Sequence, residues 1–200
     1  ILQDLGYEVL YGEDAIDPQS RRGVPAKEEL DKAYERAIRD GANPQIVQKM
    51  KGGLTAVVGI LEGKRSGPTV AFRFDMDALP ITESSEADHL PYVQNFHSKY
   101  EGNMHACGHD AHVAIGLYLA KKMANRNFSG KLKLIFQPAE EGGRGAYAVV
   151  QKGVVDDVDK IYCSHLGVGA PLGEIYGGST DWLASTKYRV YFHGVPSHSG

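Results

Sequence analysis

This 200-residue sequence has few cysteines, no long apolar run and no large excess of charge of either sign. The two cysteines, Cys107 and Cys163, are too few for a disulfide framework, so we predict a reducing, cytoplasmic setting. No apolar run approaches the roughly 18 residues that a membrane helix needs, and the first ten residues are not a signal peptide. Lys and Arg number 22 against 25 Asp and Glu, without a basic patch, which excludes nucleic-acid and membrane-surface binding.

The ends of the sequence predict a fragment of a longer polypeptide. The chain opens without Met, in residues that resemble the end of a helix, and closes at Ser199-Gly200 in a polar loop after a predicted strand. A chain of this length is expected to form one domain, with part of a second.

The periodicity of apolar residues predicts an α/β layered fold with functional loops at the strand ends. A charged helix over 27–40, with loops on both sides, reads as a surface insertion covering about residues 18–45. The other predicted elements are strands over 54–61, 69–74, 131–136, 160–164 and 187–192, and helices over 110–124 and 145–152.

The densest polar cluster is His105-Ala-Cys107-Gly-His109-Asp110-Ala-His112, at the start of a predicted helix. Thiolate and imidazole are good ligands for zinc-like metals, and the two-residue spacing at a turn lets Cys107 and His109 face one ion. The alternative is a helix start capped by Asp110, with the histidines on the surface.

Two adjacent carboxylates, Glu140 and Glu141, directly follow the third predicted strand. Taken alone, the pair is better explained as turn residues that face the solvent. Beside two metals, one could bind the ions while its neighbour takes a proton from water. Gly142 and Gly143 would allow the sharp turn that this needs.

Asp75 and Asp77 follow another strand, and His165 ends a further one. One of the aspartates could orient a histidine ligand, although a turn before Pro80 explains them equally well. By itself, His165 is better explained as a core histidine, and Cys163 as buried packing. The sequence contains no P-loop, nucleophile elbow or His-Glu-x-x-His helix.

Three segments, Phe74–Pro80, Met104–His112 and Phe136–Gly142, resemble the signatures of the M20 metallopeptidases, in the branch that hydrolyses N-acyl amino acids. The resemblance implies a layered zinc-peptidase-type catalytic domain, incomplete here and covering residues 1–183. Residues 184–200 would begin a smaller α+β lid and dimerisation domain.

The resemblance also implies a role for each matching residue. Two divalent ions, zinc or manganese, would be held by Cys107, His109, Glu141 and His165. Glu140 would be the general base and Asp77 would support the metal site, whereas Asp75 is not counted as a ligand. His198 would reach the substrate of a neighbouring subunit. The family's remaining histidine ligand lies beyond this sequence, so the fragment alone should bind metal weakly.

The expected activity is hydrolysis of the amide bond of an N-acyl amino acid. The segments Ser20–Pro25 and Gly153–Asp159 resemble the corresponding segments of family members that cleave p-aminobenzoyl-glutamate. The resemblance therefore implies p-aminobenzoyl-glutamate as the expected substrate. The alternatives are a general hippurate-type deacylase and a catalytically idle metal-binding subunit. The expected assembly is a homodimer or a hetero-oligomer with a related subunit.

Overall fold

The computed structural model describes residues 1–167, 171–178 and 190–191. The chain forms two compact units, Ile1–Leu166 and Gly167–Gly200, and the fold and the site described below belong to the first. The predicted domain boundary near 183 and the predicted strand over 187–192 fall largely outside the described residues, so both remain predictions. Among the described residues, no helix has the length and apolar character needed to cross a bilayer.

The first unit is built on one mixed five-stranded sheet. In chain order its elements are β1 (Glu8–Tyr11), α1 (Lys27–Arg39), α2 (Pro44–Lys49), β2 (Val57–Glu62), β3 (Arg65–Asp75), α3 (Leu90–Val93), α4 (His109–Met123), β4 (Ser129–Gln137), α5 (Gly145–Gln151) and β5 (Lys160–Cys163). The strands lie in the order β1-β2-β4-β3-β5. The α/β layered class predicted from the sequence is therefore confirmed.

Strand direction determines which strand ends meet. β2 is antiparallel to both β1 and β4, whereas β3 runs parallel to β4 and to β5. Asp75 pairs in register with Gln137, and Arg73 with Cys163. The carboxyl ends of β3, β4 and β5 consequently lie at one edge of the sheet, where ligands of open α/β sheets usually bind.

The sheet is covered on both faces. Leu134 and Phe136 pack on one side with Ala120 of α4, and Ile135 packs on the other with Val149 of α5. The central strand β4 is buried almost throughout, as expected for a strand with parallel neighbours and two covered faces.

Helix α4 starts one residue earlier than predicted, and the expectation that Asp110 caps it is wrong. The residue before the helix is Gly108, which has a positive φ of 83°, and no side chain forms a cap hydrogen bond there. Asp110 is the second helical residue and is exposed. Further along, the absence of a side chain at Gly116 lets α4 approach the sheet, since a Cβ there would lie 2.7 Å from Phe136.

Several elements near the amino terminus were not predicted. β1 adds an antiparallel edge strand, and α2 begins at Pro44 with Asn43 accepting a hydrogen bond of 2.9 Å from the amide of Gln45. The predicted helix over 27–40 is confirmed as α1, which has no fully buried residue. The extent of the insertion remains a prediction.

Candidate metal centre

The carboxyl edge of the sheet brings together the polar clusters that the sequence keeps apart. Cys107, His109 and His165 place one ligand atom each within 4.8 Å of one another, and so do His109, Glu140 and Glu141. His109 belongs to both groups. Thiol, imidazole and carboxylate groups gathered in this way are suited to binding divalent cations.

His109 is fully buried and its orientation fixes its tautomer. Its Nδ1 lies 2.9 Å from the main-chain oxygen of Asp77, which can only accept, so Nδ1 carries the hydrogen. In the neutral ring Nε2 then presents a lone pair, and it has no hydrogen-bond partner among the described residues. Carboxylate oxygens of Asp75, Glu140 and Glu141 lie 3.7, 3.9 and 3.9 Å from it. A buried lone pair facing carboxylates is unfavourable unless a cation lies between them, so these residues fit a metal ion.

His165 follows β5 and repeats the arrangement of His109. Its Nδ1 donates to the main-chain oxygen of Leu166 at 2.9 Å, while Nε2 points toward Sγ of Cys107 at 3.4 Å. Burial, followed by the negative charge of Glu141, raises the pKa of the Cys107 thiol above its ordinary value. A divalent cation would reverse this effect, because it binds the thiolate and displaces the proton.

His112 lies one turn after His109 but has no nitrogen left for a metal. Its Nδ1 donates to Asp75 at 2.5 Å, and its Nε2 accepts from the amide of Leu166 at 2.9 Å. Both nitrogens are thus used within the protein. Because Leu166 also holds the ring of His165, His112 helps to position that ring rather than to bind an ion.

Asp75 is ionised despite being buried. Burial alone would raise the pKa of its carboxyl group, but the hydrogen bond from His112 and the charge of Arg73 outweigh this effect and hold the pKa below its usual range. Arg73 donates to Asp75 at 2.6 Å and to the side chain of Gln137 at 2.8 Å. The carboxylate of Asp75 is therefore hydrogen-bonded to Arg73 and to His112, and Asp75 is not among the metal ligands expected from the sequence.

Asp77 connects His109 to the two glutamates. Its main-chain oxygen orients His109, and its carboxylate accepts hydrogen bonds from the amides of Glu140 and Glu141 at 3.0 and 3.1 Å. The loop after β4 is further tightened by a left-handed residue, Ala139, with φ of 54°. One aspartate thus fixes both the histidine and the backbone of the two carboxylates that face it.

The structure thus brings together six of the seven residues assigned to the site from the sequence: Asp77, Cys107, His109, Glu140, Glu141 and His165. Their chemical roles remain predictions. His198 lies outside the described residues. The expectation that Cys163 is buried packing is wrong, since it is exposed on β5, the last strand of the described sheet.

The connection from Asp75 through His112 to Leu166 was not predicted. The signal available for it was the spacing of His109 and His112, three residues apart on one helix, which places both rings on the same face.

Proteins of known name are similar to this chain over its whole length. The chain is 48% identical to the indole-3-acetyl-aspartic acid hydrolase of Enterobacter agglomerans and 45% identical to one of the subunits of the p-aminobenzoyl-glutamate hydrolase of Escherichia coli. Each match covers 100% of this chain and 46% of the relative, so the chain spans about half the length of these curated relatives.

A similar fold is found in the crystal structure of an aminobenzoyl-glutamate utilization protein from Klebsiella pneumoniae, with a TM-score of 0.68 and 42% identity. That match covers 86% of this chain and 37% of the other. The model of peptidase family M20/M25/M40 matches residues 71–196, which include all the residues of the candidate metal centre. The chain therefore belongs to peptidase family M20/M25/M40.

Proposed function

We propose that the complete protein is a dinuclear-metal amidohydrolase that cleaves the amide bond of an N-acyl amino acid. The observation that carries the proposal is the buried Nε2 of His109, which lacks a hydrogen-bond partner in the described structure and faces Glu140 and Glu141. A buried polar atom without a hydrogen-bond partner destabilises a folded protein, so such an atom is more common at functional sites than elsewhere.

The proposed ligands are Cys107, His109, Glu141 and His165, which would hold two divalent cations. When bound, such ions supply Lewis acidity, which polarises an amide carbonyl and makes water easier to deprotonate. Thiolate and imidazole favour zinc, whereas the carboxylate also admits manganese.

Glu140 is the proposed general base. Its carboxylate reaches within 3.9 Å of Nε2 of His109 and is partly exposed, so substrate and water can approach it. Asp77 holds the Glu140 amide, which fixes where the side chain starts. Glu140 would take a proton from water and later deliver it to the departing amine.

The proposed substrate is p-aminobenzoyl-glutamate, which would yield p-aminobenzoate and glutamate. Support comes from two relatives that match the whole chain, because both are named as hydrolases of a conjugate of an acidic amino acid. The proposed location is the cytoplasm. We further propose a homodimer or a hetero-oligomer with a related subunit, since one relative is named as a subunit of its enzyme, and that His198 serves the substrate of the neighbouring subunit.

The test replaces Glu140 with Gln in the complete protein loaded with zinc or manganese. Release of p-aminobenzoate should fall about 100- to 10,000-fold, the usual contribution of a general base, while metal content measured by mass spectrometry stays near that of the wild type. Glu101→Gln, at an exposed loop glutamate, is the matched control and should retain activity. Turnover of Glu140→Gln within about threefold of the wild type would contradict the assignment.

Two other functions are separated by the same assay. Faster turnover of hippurate than of p-aminobenzoyl-glutamate by the wild type would indicate a general deacylase with the same base. Binding of both substrates without turnover of either would indicate a catalytically idle subunit.

A further inference from the structure

Arg144 directly precedes α5 on the loop that carries Glu140 and Glu141, and Arg22 packs against Tyr147 of α5. The main-chain oxygen of Gly23 accepts a hydrogen bond of 3.3 Å from Nη1 of Arg144. Cζ of Arg22 lies 4.1 Å from the centre of the Tyr147 ring, in a cation–π contact. The segment over residues 20–25 therefore lies against the loop of Arg144 and the start of α5, and it carries a second guanidinium group, that of Arg22.

The fit between this segment and Arg144 is close. Gly23 has a positive φ of 59°, and a Cβ placed there would lie 2.7 Å from Nη1 and 2.8 Å from Cζ of Arg144. A Cβ at this position would displace the guanidinium from its contact with the backbone, and the positive φ also favours glycine. The placement of Arg144 thus depends on the segment over 20–25.

Arg144 is also next to the proposed metal ligand Glu141. Its side chain folds back over Gly142, since a Cβ on Gly142 would lie 2.8 Å from Cδ of Arg144. The turn is tight: the amide of Gly143 donates to the oxygen of Glu140 at 2.6 Å, and the amide of Arg144 to that of Ala139 at 3.2 Å. The same short loop therefore carries the proposed base, a proposed ligand and the arginine.

These guanidinium groups have no counter-ion in the described part of the chain. Neither Arg22 nor Arg144 forms an ion pair with a carboxylate there, and both residues are exposed, so an anion from outside the protein can reach them. Arg144 donates one hydrogen bond to the main chain, and a guanidinium has five N–H groups to offer. The neighbouring Arg21 is different, because its guanidinium is used by the main-chain oxygens of Gly52 and Pro18.

We propose that Arg144, assisted by Arg22, binds the side-chain carboxylate of the acidic amino acid in the substrate. This inference rests on the proposed function, which it extends from the reaction to its specificity. A planar guanidinium can pair with a carboxylate through two parallel hydrogen bonds, and a carboxylate would supply the counter-ion that Arg144 does not have in the described part of the chain. In a glutamyl conjugate the second carboxylate lies about 5–6 Å from the scissile amide, a span set by ordinary bond lengths. Arg144 lies three residues after Glu141 and four after Glu140 on one short loop, which is why we assign this carboxylate to it.

The test compares three conjugates with the complete, metal-loaded protein: p-aminobenzoyl-glutamate, p-aminobenzoyl-glutamine and hippurate. Glutamine keeps the size of glutamate but removes the second charge. Arg144→Gln should lower kcat/KM for the glutamate conjugate about 10- to 100-fold, mainly through a higher KM, and leave the other two within about threefold. Arg22→Gln should give a smaller loss with the same selectivity.

Gly23→Ala offers a second route to the same result. It keeps both arginines but displaces the Arg144 guanidinium, so it should also reduce turnover of the glutamate conjugate selectively. Arg39→Gln, at an exposed arginine of α1, is the control and should change none of the three substrates.

Each remaining outcome argues against the proposal. An equal loss for all three conjugates would mean that Arg144 recognises the α-carboxylate or supports the loop, and an unchanged glutamate conjugate would mean that it binds neither group. If the wild type prefers the glutamine conjugate, the reaction stands and only the specificity proposal fails. If the wild type hydrolyses none of the three, the proposed function fails as well.

Discussion

Replacing His112 with Phe should destabilise the protein without removing a proposed metal ligand. His112 is buried, and the substitution removes its hydrogen bonds to Asp75 and to the amide of Leu166. A hydrogen bond to a charged group contributes about 1.5–3 kcal/mol, and an amide left without a partner costs about 1–3 kcal/mol. Leu166 is 46% exposed, so water can reach its amide and the lower end of that range applies. Asp75 keeps Arg73, so we expect a total of about 2.5–4 kcal/mol.

The measurement is the free energy of unfolding from urea titration of the metal-free complete protein. Combining His112→Phe with Asp75→Asn completes a double-mutant cycle, in which we expect a coupling of about 1.5–3 kcal/mol. His97→Phe, at an exposed histidine, is the control and should lie within about 0.5 kcal/mol of the wild type. Effects of His112 and Asp75 that add within about 0.5 kcal/mol would refute the inferred charge-assisted bond.

A second readout separates support of the core from support of the metal centre. His112 holds the amide of Leu166, and the oxygen of Leu166 holds Nδ1 of His165. Loss of a group that orients a ligand usually weakens metal binding 10- to 100-fold, and we expect a loss of that size for His112→Phe in competition with a zinc chelator. Unchanged zinc affinity in a destabilised variant would show that the connection to His165 is not used.

Two further predictions concern packing and pH. In Gly116→Ala the new Cβ would meet two phenylalanine rings at 2.7 and 2.8 Å, which should cost about 1–3 kcal/mol of the free energy of unfolding. The higher helix propensity of alanine should offset roughly 1 kcal/mol of that cost. A variant with a higher urea midpoint than the wild type would contradict this packing. The hydrogen bond from Lys133 is the main cause that lowers the pKa of Asp157 in the folded protein. The ionised carboxylate should therefore stabilise the fold at pH values above its unfolded-state pKa of about 4. This stabilisation should be lost as the pH falls through the lower pKa that Asp157 has in the folded state. The urea midpoints of the wild type and Asp157→Asn should therefore differ at pH 6 and converge below pH 4, and a difference that is constant with pH would exclude this pairing.

The fold around the site was predictable because its strands have clear apolar patterns. β3, β4 and β5 were each expected within a few residues of their observed bounds, and the polar residues that follow them meet because these three strands are parallel. The order of the strands was not predictable. β2 and β3 follow one another in sequence, yet β4 lies between them, and this pairing depends on contacts between residues more than 60 positions apart.

The missed elements had weak or overlooked signals. β1 has only four residues, and its place at the edge of the sheet depends on pairing with β2, which is distant in sequence. The start of α2 did carry a signal, since an asparagine followed by proline is typical of a helix start, but it lay in a segment interpreted as a loop.

At the metal centre, sequence patterns predicted which residue types meet, but not which nitrogen each histidine offers. That depends on main-chain oxygens, whose positions follow from the tertiary fold. His109 and His165 both donate from Nδ1 to such oxygens, those of Asp77 and Leu166, and so both present Nε2. His112 instead donates to a carboxylate and accepts from an amide, so neither of its nitrogens needs a further partner.

This difference explains why two histidines three residues apart on one helix are proposed to have different roles. The oxygens of Asp77 and Leu166 follow β3 and β5, whose pairing sets their positions before any metal arrives. Two ring directions are consequently determined by the sheet, and a cation bound as proposed would add only the closing contact. A centre prepared in this way loses little conformational entropy on binding a cation, because the rings it needs are already held in place.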